Sequence, residues 1–161
     1  MIKIRKAKDA DFEDIWDIFH RVVKGGDTFA FDPKSSKEDC RTLWISPPVH
    51  TYVAELQNKI LGTYILKKNQ PGLGAHVANG AYMVHPDARG QGIGRTMGNH
   101  SIKQAKKLGF SALQFNFVVS TNIVAIQSWL KLGFKIVGTV PKAFNHQKLG
   151  LVDVYLMHRF V

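Results

Sequence analysis

Apolar and polar positions along this chain switch between a period of two and a period near 3.6, and the switches divide it into elements. Residues 2–5 alternate apolar and charged, as a short strand does. Phe12, Ile15, Trp16, Phe19, Val22 and Val23 then recur at helical spacing. Asp9 is placed to cap that helix, and Gly25-Gly26 to end it. Ser35 or Ser36 starts a second helix, with Glu38 and Asp39 favourable to its dipole and Pro47-Pro48 as its stop. Residues 51–55 and 60–67 read as a hairpin joined by Gln57-Asn58-Lys59.

The second half continues the alternation. Residues 76–84 form a strand ended by Pro86, and 92–108 a helix closed by Gly109. Residues 110–119 form a strand and 122–132 a helix ended by Gly133. The last strands are 134–140 and 151–159, with a loop over 141–150. On the strand 110–119, Leu113, Phe115 and Phe117 are expected to face the core, and Gln114, Asn116 and Ser120 the other side. Strands and helices alternating in this order predict an α/β (α+β) domain around one sheet, over residues 1–161.

Composition narrows the setting. Apolar residues are 45% and charged residues 21% of the 161, as in an ordinary soluble domain. Apolar runs last only a few residues, against about 20 for a membrane helix. The first residues, Met1-Ile2-Lys3-Ile4-Arg5-Lys6, lack the pattern of a signal peptide. A cytoplasmic protein with no membrane partner is expected. Cys40, the one cysteine, excludes an internal disulfide and a multi-cysteine zinc site, and no metal site is expected. The net charge of +10 asks for an anionic partner. Lysines and arginines are scattered and do not interleave with aromatics, which speaks against specific nucleic-acid binding and for a phosphate-rich cofactor.

One stretch carries recognisable chemistry: Val84-His85-Pro86-Asp87-Ala88-Arg89-Gly90-Gln91-Gly92-Ile93-Gly94-Arg95. It is a strand, a proline turn, a glycine-rich loop and a helix start. The three glycines permit close backbone approach. The first amides of the helix lack internal partners and, with the dipole, suit a pyrophosphate. Arg89 and Arg95 add charged donors. The loop follows the fourth strand rather than the first, unlike a dinucleotide fold, and no Lys-Ser or Lys-Thr pair follows it, unlike a Walker loop.

Arg89-x-x-Gly92-x-Gly94 is similar to the signature of the GNAT superfamily of N-acetyltransferases, and Met83-Val84-His85-Pro86 resembles its lead-in. Asn122-x-x-Ala125-x-x-x-Trp129-x-x-x-Gly133-Phe134 looks like the family's second pattern, and the order of elements agrees over essentially the whole chain. The resemblance implies a mixed, mostly antiparallel sheet with splayed central strands and helices on both faces. It implies acetyl-CoA as donor and direct attack by an acceptor amine in a ternary complex. The backbone of Met83 and Val84 would hold the pantetheine arm and face the thioester. Arg89, Gly90, Gln91, Gly92, Ile93, Gly94 and Arg95 would cradle the pyrophosphate, and Asn122 would contact the cofactor. Dimers are common in the family, so a homodimer is an open expectation.

The resemblance breaks where proton transfer is concerned. Many relatives place a tyrosine at the position of Trp129, whose indole is no acid. Trp129 is then expected to shape the cofactor slot, with Ser128 or Ser120 left as proton relays. Relatives often carry a glutamate on the fourth strand, where this chain has His76, Asn79 and Tyr82. His85 or His76 is a candidate base, and Asn79 and Asn116 are candidates to position a water or the acceptor. Asn116, Asn122 and Trp129 together resemble a branch that contains fungal proline-analogue acetyltransferases. Thr28 and Phe29, in the loop 25–32, resemble the acceptor wall of small-molecule members. Lys142, Asn145 or Lys148 is placed to hold a carboxylate. The first expectation is a small-molecule amine acceptor, an amino acid or a relative of one. A protein or peptide acceptor, and an acyl-CoA-binding module without catalysis, are the alternatives.

Overall fold

A computed structural model describes residues 1–161. Strands β1 (Lys3–Lys6), β2 (His50–Leu56), β3 (Lys59–Lys68), β4 (Val77–Val84), β5 (Ala112–Val119), β6 (Lys135–His146) and β7 (Gly150–Phe160) form one sheet in the order β1-β2-β3-β4-β5-β7-β6. Every neighbouring pair is antiparallel except β4 and β5, which run parallel. Helices α1 (Phe12–Lys24) and α2 (Lys37–Cys40) cover one face of the sheet, and α3 (Ile93–Lys107) and α4 (Ile123–Lys131) the other.

Each face has its own apolar layer, as a half-buried sheet requires. Phe12, Ile15, Phe19, Trp44, Val53 and Met83 fill the α1 side. Tyr64, Met97, Leu113, Phe115, Trp129 and Phe134 fill the α3 side. Tyr52, Tyr64 and Tyr82 sit opposite one another on β2, β3 and β4, with ring centroids 4.8 and 5.3 Å apart. Such cross-strand aromatic pairs pin the register. Gly98 on α3 lets α4 come close: a Cβ there would stand 2.5 Å from Leu132 Cδ1 and 3.0 Å from the Trp129 ring. Cys40 is fully buried, and burial pushes its thiol up to about 12.

Three expectations are corrected. Asp9 is not the cap of α1 but lies in a 3-10 turn, Asp9–Asp11, that precedes it. The acid that secures the entry is Asp11, which accepts the Lys8 N–H at 2.7 Å and is clamped by Arg5 at 2.7 and 2.8 Å. The segment 141–150 is largely strand: β6 runs to His146, and its register against β7 shifts between Val140 and Phe144. Pro141 lacks an N–H, Lys142 sits at φ 50°, and its N–H donates to the Asp153 carboxylate, so a bulge absorbs the irregular residues and pairing resumes. A second bulge lies between Phe115 and Val118 on β5. It breaks the alternation, buries Val118 and Val119, and leaves Phe117 39% exposed instead of in the core.

Candidate active site

β4 and β5 pair at three positions, Val77 with Ala112, Ala78 with Leu113 and Asn79 with Gln114, and then part. The Asn79 Nδ2 donates to the Gln114 carbonyl at 3.0 Å, at the point of divergence. β4 continues straight along β3 to Val84, while the bulge bends β5 toward β7. The gap is a slot of about 310 Å³ that passes through the sheet. Thr28, Phe29 and Phe31 wall it on the α1 side, and Asn122, Ala125 and Trp129 on the α4 side. Eleven of its 16 lining residues are hydrophobic and none carries a formal charge.

The glycine loop leaves the end of β4. His85 accepts the Asp87 N–H through Nδ1 at 3.2 Å and starts a 3-10 turn, Pro86–Ala88. Gly90 and Gly92 follow at φ 79° and 78°, where a Cβ is strained. The first bond of α3 runs from the Thr96 N–H to the Gly92 carbonyl at 3.0 Å. The amides of Ile93, Gly94 and Arg95 therefore have no partner in the helix. No acidic residue stands in this first turn, and Arg89, Gln91 and Arg95 are exposed around it. Buried Ile93 anchors the turn to the core, and Gly94 lies over Val84. This end fits a pyrophosphate: it offers free amides, a positive dipole end and unpaired guanidinium groups.

β4 offers the slot its backbone. Met83 buries its side chain in the α1 layer and Val84 packs toward α3, so past Asn79 the edge of β4 that faces away from β3 is free of strand partners. Asn122 caps α4 by accepting the Ala125 N–H at 3.4 Å and lines the slot. Trp129 is buried between Tyr82 and Phe115, each 4.6 Å away between ring centroids. Thr28 Oγ1 is buried without a hydrogen-bond partner.

Thr28, Phe29, Asn79, Asn116, Asn122 and Trp129 thus meet at one slot, and residues 89–95 stand at the end of the strand beside it. His85, Ser128 and Asn145 stand elsewhere. His85 faces α1, where Nε2 contacts Asp17 Oδ2 at 3.1 Å, so both ring nitrogens are engaged. Arg21 above all, and His85 after it, hold the Asp17 carboxyl below its ordinary range. The Ser128 hydroxyl donates to the Val124 carbonyl of its own helix at 2.8 Å. Asn145 lies in an outer vestibule of about 650 Å³, and neither Lys142 nor Lys148 lines either cavity. Asn116 spends both ends of its amide: Nδ2 donates to Asn69 at 2.6 Å and Oδ1 accepts from Gln114 at 2.9 Å.

The titratable group in the slot wall is Tyr82, whose hydroxyl donates to Ser101 Oγ at 2.8 Å and which burial pushes well above the ordinary phenol range. The sequence reading gives Tyr82 and Ala125 no site role, while Phe31 belongs to the loop 25–32 that it places at the acceptor wall. It misplaced Phe117, because no local signal marks the bulge. The parity of Tyr82 with Val84, opposite to Met83, was the one available hint that its ring turns toward α3.

The chain is similar to known proteins in sequence and in fold. The Acetyltransferase (GNAT) family model matches residues 12–134. N-acetyltransferase aca1 of Schizosaccharomyces pombe is 34% identical over 114 residues, 69% of this chain and 54% of the relative, so the match spans about half the length of that protein. The structure of a GCN5-related N-acetyltransferase from Kribbella flavida is 42% identical and superposes with a TM-score of 0.94 over 99% of this chain and 98% of the other. A phosphinothricin acetyltransferase from Sinorhizobium meliloti, solved in complex with acetyl-CoA, shares the fold at a TM-score of 0.87 and 19% identity, over 99% of this chain and 88% of the other. With the family model covering residues 12–134, most of its length, the chain belongs to the GNAT acetyltransferase family.

Proposed function

We propose that the chain transfers the acetyl group of acetyl-CoA to the amine of a small molecule. The observation that carries this reading is the slot through the sheet, which opens toward α4 on one face and ends under the Thr28–Phe31 wall on the other. Acetyl-CoA supplies a thioester that the amine lone pair attacks, so that a C–N bond forms and the C–S bond breaks. The amides of Ile93, Gly94 and Arg95, with Arg89, hold the diphosphate of the donor. The free edge of β4 beyond Asn79 runs along its pantetheine arm and turns backbone N–H groups toward the thioester oxygen, where charge develops. Asn122 and Trp129 line the slot on the α4 side.

The slot wall contains no carboxylate and no imidazole, and the hydroxyl of Tyr82 is committed to Ser101. The protein therefore selects the neutral amine through burial, since an uncharged apolar wall disfavours an ammonium ion. The proton lost from nitrogen leaves to solvent, and the departing thiolate takes one from solvent, helped by the modest basicity of thiols.

The acceptor side favours a small molecule over a peptide. The Gln147 N–H donates to the Gly26 carbonyl at 3.1 Å and ties the β6–β7 hairpin to the loop after α1, so the acceptor enters a bounded, half-open vestibule of about 650 Å³, within the size range of small-molecule pockets. The lack of a base in the slot also suits an acyl-CoA-binding module without turnover. Calorimetric titration with acetyl-CoA, followed by thiol release with a panel of free amines and lysine peptides, separates these readings. One-site binding with transfer to free amines is the expected result. Transfer to peptides alone, or binding without any transfer, overturns it.

A further inference from the structure

The slot and the outer vestibule share four residues, Phe29, Ala30, Phe31 and Phe117. An acceptor that reaches the thioester must therefore pass this collar and leave the rest of its skeleton in the vestibule. The collar is aromatic. Phe29 and Phe31 stack with ring planes 9° apart and centroids at 5.8 Å. Phe117, turned outward by the β5 bulge, meets the buried Phe144 edge-on, with centroids 6.0 Å apart and planes at 78°. An exposed phenyl face beside a stacked pair is a surface that a further flat ring covers favourably.

The charges point the same way. The chain holds 22 lysines and arginines, yet none lines the slot or the vestibule. The formal charge in the vestibule wall is that of Asp32. His146, also in that wall, accepts the Lys148 and Leu149 N–H groups through Nδ1 at 3.1 and 3.2 Å, which leaves Nε2 as its free ring nitrogen. A carboxylate carried into this space would shed water without meeting a cation and would face Asp32. An uncharged skeleton meets neither penalty, and Asp32 draws in the incoming ammonium form. Deeper in, the slot wall is uncharged, so the amine enters it as the neutral base.

Resting on the acetyltransferase reading, we infer that the acceptor is an arylalkylamine: a primary amine on a short chain that carries an aromatic ring and no carboxylate. The ring sits among Phe29, Phe31, Phe117 and Phe144, and the amine reaches past the collar into the slot. The amino-acid acceptor that the polar 142–148 segment suggests does not match this wall.

The test is steady-state acetyl transfer by the full chain with matched pairs, 2-phenylethylamine against phenylalanine and tyramine against tyrosine, with calorimetric acetyl-CoA binding measured in parallel. The decarboxylated member of each pair is expected to show kcat/KM at least about tenfold higher. Phe117→Ala is expected to raise KM for 2-phenylethylamine by about tenfold with acetyl-CoA affinity within about twofold, and Phe117→Tyr to restore it. Asp32→Asn, which keeps the acceptor for the Lys34 N–H, is expected to narrow the preference within each pair. Equal or better use of the amino acids, or an unchanged KM in Phe117→Ala, overturns the inference and leaves the acetyltransferase reading standing. Acetyl-CoA binding with no transfer to any of the four amines overturns it as well. Failure to bind acetyl-CoA removes both.

Discussion

The Asn79 side-chain amide and the Gln114 backbone carbonyl, 3.0 Å apart, mark the last tie between β4 and β5 before the sheet opens. The slot begins where this bond ends, so the bond marks the point at which the strands part. Asn79→Ala is expected to lower stability by about 1 kcal/mol, the usual worth of such a bond. It is also expected to reduce kcat/KM for the amine more than it reduces acetyl-CoA affinity. Urea unfolding and calorimetry on the same preparation check both parts.

Gly92 holds φ 78° at the start of α3 with open space around it. A valine there clashes with nothing but disfavours the left-handed backbone by about 1–2 kcal/mol. Gly92→Val is expected to fold and to bind acetyl-CoA at least about tenfold more weakly. Unchanged affinity would detach the glycine loop from the donor site.

Gly98 fails for a different reason. Its Cβ would enter Leu132 and the Trp129 ring, which are packed and cannot yield freely. Gly98→Val is expected to destabilise the fold by about 1–3 kcal/mol, read as a lower midpoint in thermal unfolding. The loop amides are untouched, so the protein that remains folded keeps its acetyl-CoA affinity.

Ser128 spends its hydroxyl on the Val124 carbonyl. Ser128→Ala is expected to leave kcat and its pH profile within about twofold of the parent, against the 100-fold or more lost with a true proton donor. A larger fall, with a shifted acid limb, would restore Ser128 as a relay.

Arg5 above all holds the Asp11 carboxyl below the usual carboxylate range. A carboxyl depressed in the folded state contributes stability above its ordinary range and loses it as pH falls through the folded value. Acid unfolding below about pH 4 should therefore flatten in Asp11→Asn. At neutral pH that variant should be less stable by about 2 kcal/mol, because Arg5 loses its charged partner and one of the two accepting oxygens becomes an amide donor that faces its guanidinium. Denaturant midpoints from pH 3 to pH 7 measure this.

What the sequence disclosed was local. The loop from Arg89 to Arg95 is contiguous, and its glycines declare their conformation without help from the fold. The strand periods and the stops at Gly25, Pro86 and Gly133 are local in the same sense. What stayed hidden depends on partners far away. The engagement of His85 by Asp17 spans 68 positions and that of Asn116 by Asn69 spans 47. Each turns a free polar side chain into a committed one. The bulges hid the rest: an inserted residue reverses strand parity, which put Phe117 in the wrong layer and cut β6 short at Val140.

The three-residue pairing of β4 with β5 divides the molecule into two lobes. β1 to β4 carry the glycine loop at one end, and β5 to β7 carry α4 and the vestibule hairpin. On the proposed reading the donor phosphates rest on the first lobe alone, whereas the acceptor vestibule draws walls from both, residues 26–33 from the first and 143–147 from the second, tied by the Gln147–Gly26 hydrogen bond. Seating both partners would hold the lobes at one angle, so the amides along the seam should exchange with solvent more slowly when both are bound than with either alone.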